Sequence, residues 1–231
     1  MKQRILIVED EPQLVGILEY LLKDEGFEAL SAYTGEEALK LIKLEKPDLV
    51  IMDIMLPKMD GFELCMRIRR FTTIPVIILT AKKEQEDVIR GLEFGADDYL
   101  TKPFNHKELI LRIKKILRRT AAYEVSRNIV LGDLEINPFS REVMVSKRRI
   151  SLSPTEFNLL LCLVKNSGRV LSWESLLIEV WGYEDWIGGK ELVKVNIRRL
   201  RKKLEPDPSK PVYIISIWGI GYKIASLSPR H

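Results

Sequence analysis

The stretch DLVIMDIMLPKMDG, residues 48–61, decides the fold of the first half of the chain. It opens as a short, nearly unbroken apolar run closed by Asp53, and a helical pattern begins at Gly61. An apolar run of that length without alternation fits a strand covered on both faces, as in a parallel sheet. The same unit recurs outward in both directions. RILIV (4–8) precedes a helix from about Pro12, PVIILT (75–80) precedes a helix near 84–94, and a further helix over 105–118 closes the series. Asn105 stands as an N-cap before HKELILRIKKILRR, whose Leu109, Ile113 and Ile116 or Leu117 form one stripe. Strands alternating with helices in this way predict a doubly wound α/β fold with a parallel sheet.

After residue 119 comes TAAYEVSRN (120–128), polar and without pattern, which reads as a linker between a domain over 1–119 and another over 129–231. The texture then changes to short strands, LGDLEI (131–136), REVMVS (141–146) and RRISL (148–152), with turn residues Asn137, Pro138 and Lys147 between them. These predict an antiparallel sheet. Ser153-Pro154-Thr155-Glu156 is a capping box with Pro at the first helical position, and Gly168 marks the stop, so a helix is expected over 154–166. Helices over 172–181 and 190–204 follow, separated by GYEDWIGG, and the chain closes with YIISI, a WGIG turn and YKIA. Three helices and a terminal hairpin describe an α+β winged helix-turn-helix.

Composition bounds the function. Of 231 residues, 46% are hydrophobic and 30% charged, too apolar for disorder. No apolar run reaches the roughly 18 residues of a membrane span, and the amino terminus MKQRILIVEDE turns acidic before a signal-peptide core forms, so a cytoplasmic location without membrane contact is expected. Cys65 and Cys162 lie far apart in apolar helical patterns and read as small hydrophobes, without a disulfide. With His106 and His231 as the two histidines, His-based catalysis and zinc binding lack material. The charge is divided unevenly: residues 1–119 carry 20 basic and 21 acidic side chains, residues 120–231 carry 17 and 12.

Glu9 and Asp10 end the first strand, Asp53 the third, Thr80 the fourth and Lys102 the fifth. Residues at strand carboxyl ends of an open parallel sheet converge in the crevice where ligands bind. Three carboxylates without His make a hard oxygen site suited to Mg2+, with Lys102 to relieve their repulsion. A carboxylate so placed can attack phosphorus, with the metal and an ammonium stabilising the transferred group, and Asp53 is the natural nucleophile.

The second half offers a different chemistry. In KELVKVNIRRLRKKL, residues 190–204, Val193, Ile197, Leu200 and Leu204 fall within about 60° of one another and predict the buried stripe. Glu191, Val195, Arg198, Arg199 and Lys202 centre the opposite face, flanked by Lys194 and Arg201 on one side and Asn196 and Lys203 on the other. That face reads as cations around one exposed valine. A helix fits the major groove of DNA, where Arg reads guanine, a valine touches a thymine methyl and the remaining cations meet phosphates.

ILIVEDE, DLVIMDIMLPKMDG, PVIILTA and GADDYLTKPF together resemble the receiver domain of bacterial response regulators over residues 1–119. LSPTEFNLLLCLVKNSGRVLS, VNIRRLRKKLE and GIGYK resemble the effector domain of the OmpR/PhoB winged-helix branch over 129–226. The resemblance implies a flavodoxin-like receiver with a five-stranded parallel sheet and a two-component regulator of transcription. In it Asp10 and Asp53 bind Mg2+ directly, the Met55 carbonyl completes the protein ligands and Glu9 acts through water. Lys102, followed by a cis Lys102-Pro103 bond, pairs with the phosphoryl group, Thr80 moves to it, and Tyr99 turns inward behind it. A sensor histidine kinase is the implied donor. The implied homodimer face lies within 84–119 and includes Asp97, Asp98, Glu108, Arg112 and Arg119, with Val88 where the family usually has a basic residue. The 190–204 helix reads double-stranded DNA, the wing at 219–223 with Lys223 approaches the minor groove, and loop 182–189 touches RNA polymerase. Trp218 and Glu191 depart from the family's commoner basic residues, which leaves the operator sequence open. Two other classes compete. One is a phosphorylation-independent DNA-binding regulator whose receiver is a protein-interaction module; the other is a flavodoxin-like enzyme, for which EDEPQ stands where a glycine-rich phosphate loop is needed.

Overall fold

Each predicted strand of the first half finds its place in one sheet. The computed structural model describes residues 2–81, 91, 93–118, 128–183 and 188–225, and the chain divides into two units, Met1–Leu117 and Arg118–His231. The first unit runs β1 (Arg4–Val8), α1 (Pro12–Asp24), β2 (Glu28–Ala32), α2 (Gly35–Glu45), β3 (Leu49–Met52), α3 (Gly61–Arg69), β4 (Val76–Thr80), β5 (Asp98–Thr101) and α4 (His106–Arg118). The expected helix near 84–94 lies largely outside the described residues, as do Val88 and Arg119. The five strands are parallel in the order β2-β1-β3-β4-β5. Strand order reverses beside β1, which opens a crevice at the carboxyl ends of β1 and β3.

The central strands β1, β3 and β4 are buried on both faces because they are apolar at nearly every position. Ile5, Ile7, Leu49, Ile51, Ile77 and Leu79 face one side and pack with Val15, Leu18 and Leu22 of α1 and Leu109, Ile113 and Ile116 of α4. The alternate residues, Leu6, Val8, Val50, Met52, Val76 and Ile78, are equally buried on the side of α2 and α3. Each such side chain stabilises the fold by about 1.5–3 kcal/mol when removed from water. Polar caps fix where helices begin: the Thr34 hydroxyl accepts from Glu37 N at 3.2 Å, Asp60 Oδ1 from Phe62 N at 2.9 Å and Asn105 Oδ1 from Lys107 N at 2.9 Å.

The second unit starts with an antiparallel sheet in the order β6-β7-β8-β9: Ile129–Leu131, Leu134–Asn137, Glu142–Val145 and Arg148–Ile150. LGDLEI is therefore not one strand. Gly132, with φ 59°, turns the chain so that Leu131 pairs with Leu134 across a tight hairpin. Next come α5 (Pro154–Lys165), β10 (Leu171–Ser172), α6 (Trp173–Val180), α7 (Gly189–Leu204), β11 (Ile214–Ile217) and β12 (Gly221–Ile224). The Ser153/Glu156 capping box forms as expected. β10, β12 and β11 make a three-stranded sheet, with the wing at the β11-β12 turn. The Glu205 carboxylate, just past α7, accepts from the backbone N of Val212, Tyr213 and Ile214 at 2.7, 3.0 and 2.8 Å, which ties the end of α7 to the start of β11.

Two glycines separate packing from propensity. A Cβ on Gly61 would come within 2.5 Å of the Asp53 carbonyl oxygen and 2.6 Å of Ile54 Cα, whereas one on Gly16, inside α1, meets nothing within 4 Å. Gly61→Ala is expected to destabilise the protein by about 1–3 kcal/mol by forcing the loop after β3 apart. Gly16→Ala is expected to stabilise it by about 0.5–1 kcal/mol through helix propensity. Urea denaturation of the two variants beside wild type checks both signs.

Candidate functional site

Residues separated by up to 93 positions meet at the carboxyl edge of the parallel sheet. Glu9 follows β1, Asp53 follows β3, Thr80 ends β4 and Lys102 follows β5. Lys102 Nζ donates to Glu9 Oε2 at 2.7 Å and to Asp53 Oδ2 at 2.5 Å. Glu9, Asp53 and Thr80 are buried, while Asp10 at the rim is exposed. The other Asp53 oxygen, Oδ1, accepts from Met55 N at 3.0 Å, which holds the Met55 backbone beside the carboxylate. Asp53 N donates to the Val8 carbonyl and Lys102 N to the Thr80 carbonyl, so backbone bonds set the positions of both charged groups. The Lys102-Pro103 peptide is cis, as expected. Tyr99, on β5, is fully buried and already points inward.

Burial controls the protonation of this site. Desolvation pushes the Glu9 carboxyl above its ordinary pKa, more than its hydrogen bond and attraction to Lys102 pull it down. Burial also works to lower the Lys102 ammonium, but hydrogen bonds to Asp53 and Glu9 and their charges hold it above its ordinary value. Among the described residues no trio of acidic, His or Cys side chains already stands at metal-binding spacing; Lys102 lies between Glu9 and Asp53 instead. The donor set nevertheless suits a hard divalent cation, because three carboxylates facing one ammonium leave two negative charges unmatched.

The charges expected on the dimer face are placed differently from the expectation. Asp97, Asp98 and Arg112 are buried within the single chain. Asp97 Oδ2 accepts from Arg69 Nη2 at 2.7 Å and from Val76 N at 3.0 Å. Arg112 Nη1 donates to Asp98 Oδ1 at 2.7 Å and its Nε to Glu108 Oε1 at 3.1 Å. A carboxylate at the buried start of β5 needs a partner inside the domain, which is why these residues turn inward. Glu108 is the half-exposed member.

On α7 the single-stripe reading needs correction. Val195 is 3% exposed and Asn196 fully buried, so no exposed valine sits among the cations. The physical reason is that α7 packs against both α5 and α6, and its buried arc spans Leu192, Val193, Val195, Asn196, Ile197, Leu200 and Leu204. Asn196 spends its amide on the Leu192 carbonyl at 2.9 Å. The cations divide as well. Arg201 donates from Nε and Nη2 to the Ile214 carbonyl at 3.0 and 2.7 Å and holds β11. Lys203 Nζ reaches Glu156 Oε2 at 2.6 Å and the Ser151 carbonyl at 3.0 Å, and Arg199 Nε lies 3.4 Å from Glu156 Oε1. Lys190, Lys194, Arg198 and Lys202 are exposed. Lys194, Arg198, Arg201 and Lys202 border a cavity of about 350 Å³ that reaches Tyr222, and Lys190 and Lys194 border a larger one under the wing, of about 700 Å³. Lys190 and Glu156 are the residues that sequence reasoning missed. Glu156 was legible as a helix cap, and its second oxygen was not. Lys223 lies on β12, and residues 184–187 of the 182–189 loop lie outside the described residues.

An acidic crevice in a five-stranded parallel sheet, followed by a basic helix beside a β-hairpin wing, defines a regulator with a receiver and a winged-helix DNA-binding domain. Residues 5–114 match the model of the response regulator receiver domain, and residues 147–224 match that of the transcriptional regulatory protein C-terminal domain. The chain is 44% identical over 234 residues to the alkaline phosphatase synthesis transcriptional regulatory protein PhoP of Bacillus subtilis strain 168, covering 97% of each. Among solved structures it is similar to response regulator DrrB, an OmpR/PhoB homologue of Thermotoga maritima, at 35% identity over 97% of this chain and 100% of that one, with a TM-score of 0.52. It is also similar to a mutant of RitR, at 27% identity over 96% of this chain and 98% of that one, with a TM-score of 0.74. The chain therefore belongs to the response regulators of the OmpR/PhoB type.

The raised Glu9 pKa makes a signed prediction. A group more readily protonated when folded contributes stability below its unfolded pKa and loses it as pH rises through the folded value. Ionised Glu9 thus costs stability at neutral pH. Without divalent cations, Glu9→Gln is expected to be more stable than wild type at pH 7, and the difference should close as pH falls below the ordinary glutamate range. Thermal unfolding of both proteins across that pH range checks the direction.

Proposed function

We propose that Asp53 accepts a phosphoryl group from a sensor histidine kinase and that the modified receiver pairs with a second copy, so that two winged-helix domains bind paired half-sites in double-stranded DNA, arranged as direct repeats. The observation that carries this reading is the reach of Lys102 Nζ from β5 to both Asp53 and Glu9. In the reaction an Asp53 oxygen forms the bond to phosphorus as the bond to the donor nitrogen breaks. Lys102 leaves Glu9 for the phosphoryl oxygens, whose negative charge it neutralises. Asp10, Asp53 and the Met55 carbonyl, with Glu9 through water, would hold Mg2+, which would supply further neutralisation. Thr80 donates its hydroxyl to the phosphoryl group, and buried Tyr99 fills the space behind it.

The gain of roughly two negative charges at the sheet edge is the signal. It reaches the 84–119 face, where Glu108 is half exposed, and favours the homodimer. On DNA, Arg198 and Arg199 read bases, and Lys194, Lys202 and Lys190 neutralise phosphates. Lys223 and the wing approach the minor groove, and loop 182–189 contacts RNA polymerase. No described helix is long and apolar enough to cross a membrane. The regulator works in the cytoplasm, and its receiver acts only as its own Mg-dependent phosphotransfer catalyst.

Acetyl phosphate with Mg2+ is expected to label wild type and not Asp53→Ala, as read by intact-protein mass; equal labelling of both contradicts the assignment. Arg198→Ala is expected to weaken binding to a selected duplex by about 1–3 kcal/mol and to relax its sequence preference. Lys202→Ala should instead lower the slope of log affinity against log salt by about 1 at unchanged preference. Fluorescence anisotropy over a salt series separates the two effects.

A further inference from the structure

Glu156 is fully buried in α5, and its two oxygens have different employment. Oε2 closes the capping box, accepting from Ser153 N at 2.8 Å, and also pairs with Lys203 Nζ at 2.6 Å. Oε1 makes no hydrogen bond and points at Arg199 Nε, 3.4 Å away on α7. A capping box is served equally well by Gln. The cap therefore does not account for a buried negative charge, which is costly wherever it is not matched by cations. The two cations matching it, Arg199 and Lys203, both come from the helix that faces DNA.

We infer that Glu156 is a positioning residue for DNA reading: its Oε1 fixes the Arg199 guanidinium from behind and presents the remaining edge of the planar fork to a base. The inference rests on the groove assignment of α7 given above. Arg199 is held at a second point, with Nη1 3.5 Å from Asn196 Oδ1, and Asn196 is itself locked to the Leu192 carbonyl. Its side chain is 13% exposed, so it is largely enclosed yet still reaches the surface. A guanidinium fork restrained before binding loses less freedom on forming two parallel hydrogen bonds than one that is not. Arg198, beside it on α7, is exposed.

The test uses the full chain with two probes of equal length, a duplex selected from a random pool by the wild-type protein and a scrambled duplex. The readout is the ratio of the two affinities, measured for wild type, Glu156→Gln, Arg199→Ala, the double variant and Arg198→Ala. Glu156→Gln keeps the cap, and is expected to lower the ratio about tenfold, as a lost bidentate pair does, with the scrambled-duplex affinity nearly unchanged. In the Arg199→Ala background it should have no further effect on the ratio. Equal fold-changes in both backgrounds would overturn the proposal, because Glu156 would then act independently of Arg199. An unchanged ratio in Arg199→Ala with a reduced one in Arg198→Ala would also overturn it while leaving the groove assignment intact; unchanged ratios in both would remove that assignment too. If Glu156→Gln does not fold, Glu156→Asp, which keeps the charge and shortens its reach, is put through the same cycle with the same expectations.

Discussion

The receiver unit is organised around one ammonium. Lys102 extends from the end of β5 to carboxylates at the ends of β1 and β3, and so bridges three strands of the sheet. Buried carboxylates at a sheet edge repel one another and lose hydration, and a partner in place recovers part of that cost. The recovery is incomplete, as the raised pKa of Glu9 shows. The crevice is therefore held at a charge imbalance that a divalent cation or a phosphoryl group would alter. A change in charge there is felt strongly, because Asp53, Thr80 and Tyr99 beneath it are shielded from water.

The effector unit uses charge in a second way. Cations of α7 that sequence reasoning assigned together to DNA are split between holding the helix and facing outward. Arg201 and Lys203 tie α7 to β11 and to α5, and Glu205 ties its end to the same strand. Lys190, Lys194, Arg198 and Lys202 remain at the surface. The rotation of the helix about its axis is thus fixed by polar contacts as well as by its apolar arc, which is what a reader of base edges requires.

The acidic crevice was legible in the sequence because strand ends in a parallel sheet are fixed in space by a short apolar run and a following turn. DLVIMD alone places Asp53 within a residue. What escaped reading had physical causes. EALSA, which forms β2, is an edge strand with most of its side chains partly exposed, so it lacks the apolar run that marked the central strands. LGDLEI hid a hairpin because Gly132 reverses the chain inside a stretch short enough to read as one strand. Val195 was assigned to the exposed face on the assumption of one buried stripe, and α7 has two packing partners. Asp97, Asp98 and Arg112 carry charges that the family resemblance assigns to a dimer face, yet within the single chain their partners, Arg69 and each other, are supplied by the fold.

The central claim is that the charge state at Asp53 governs DNA binding through Lys102. The most direct measurement is the affinity of the full chain for a selected duplex before and after treatment with acetyl phosphate, in wild type and in Lys102→Met, with the extent of phosphorylation followed by intact mass. The account predicts that wild type gains affinity on phosphorylation and that phosphorylated Lys102→Met does not. An equal gain in both proteins, or no gain in phosphorylated wild type, would contradict it.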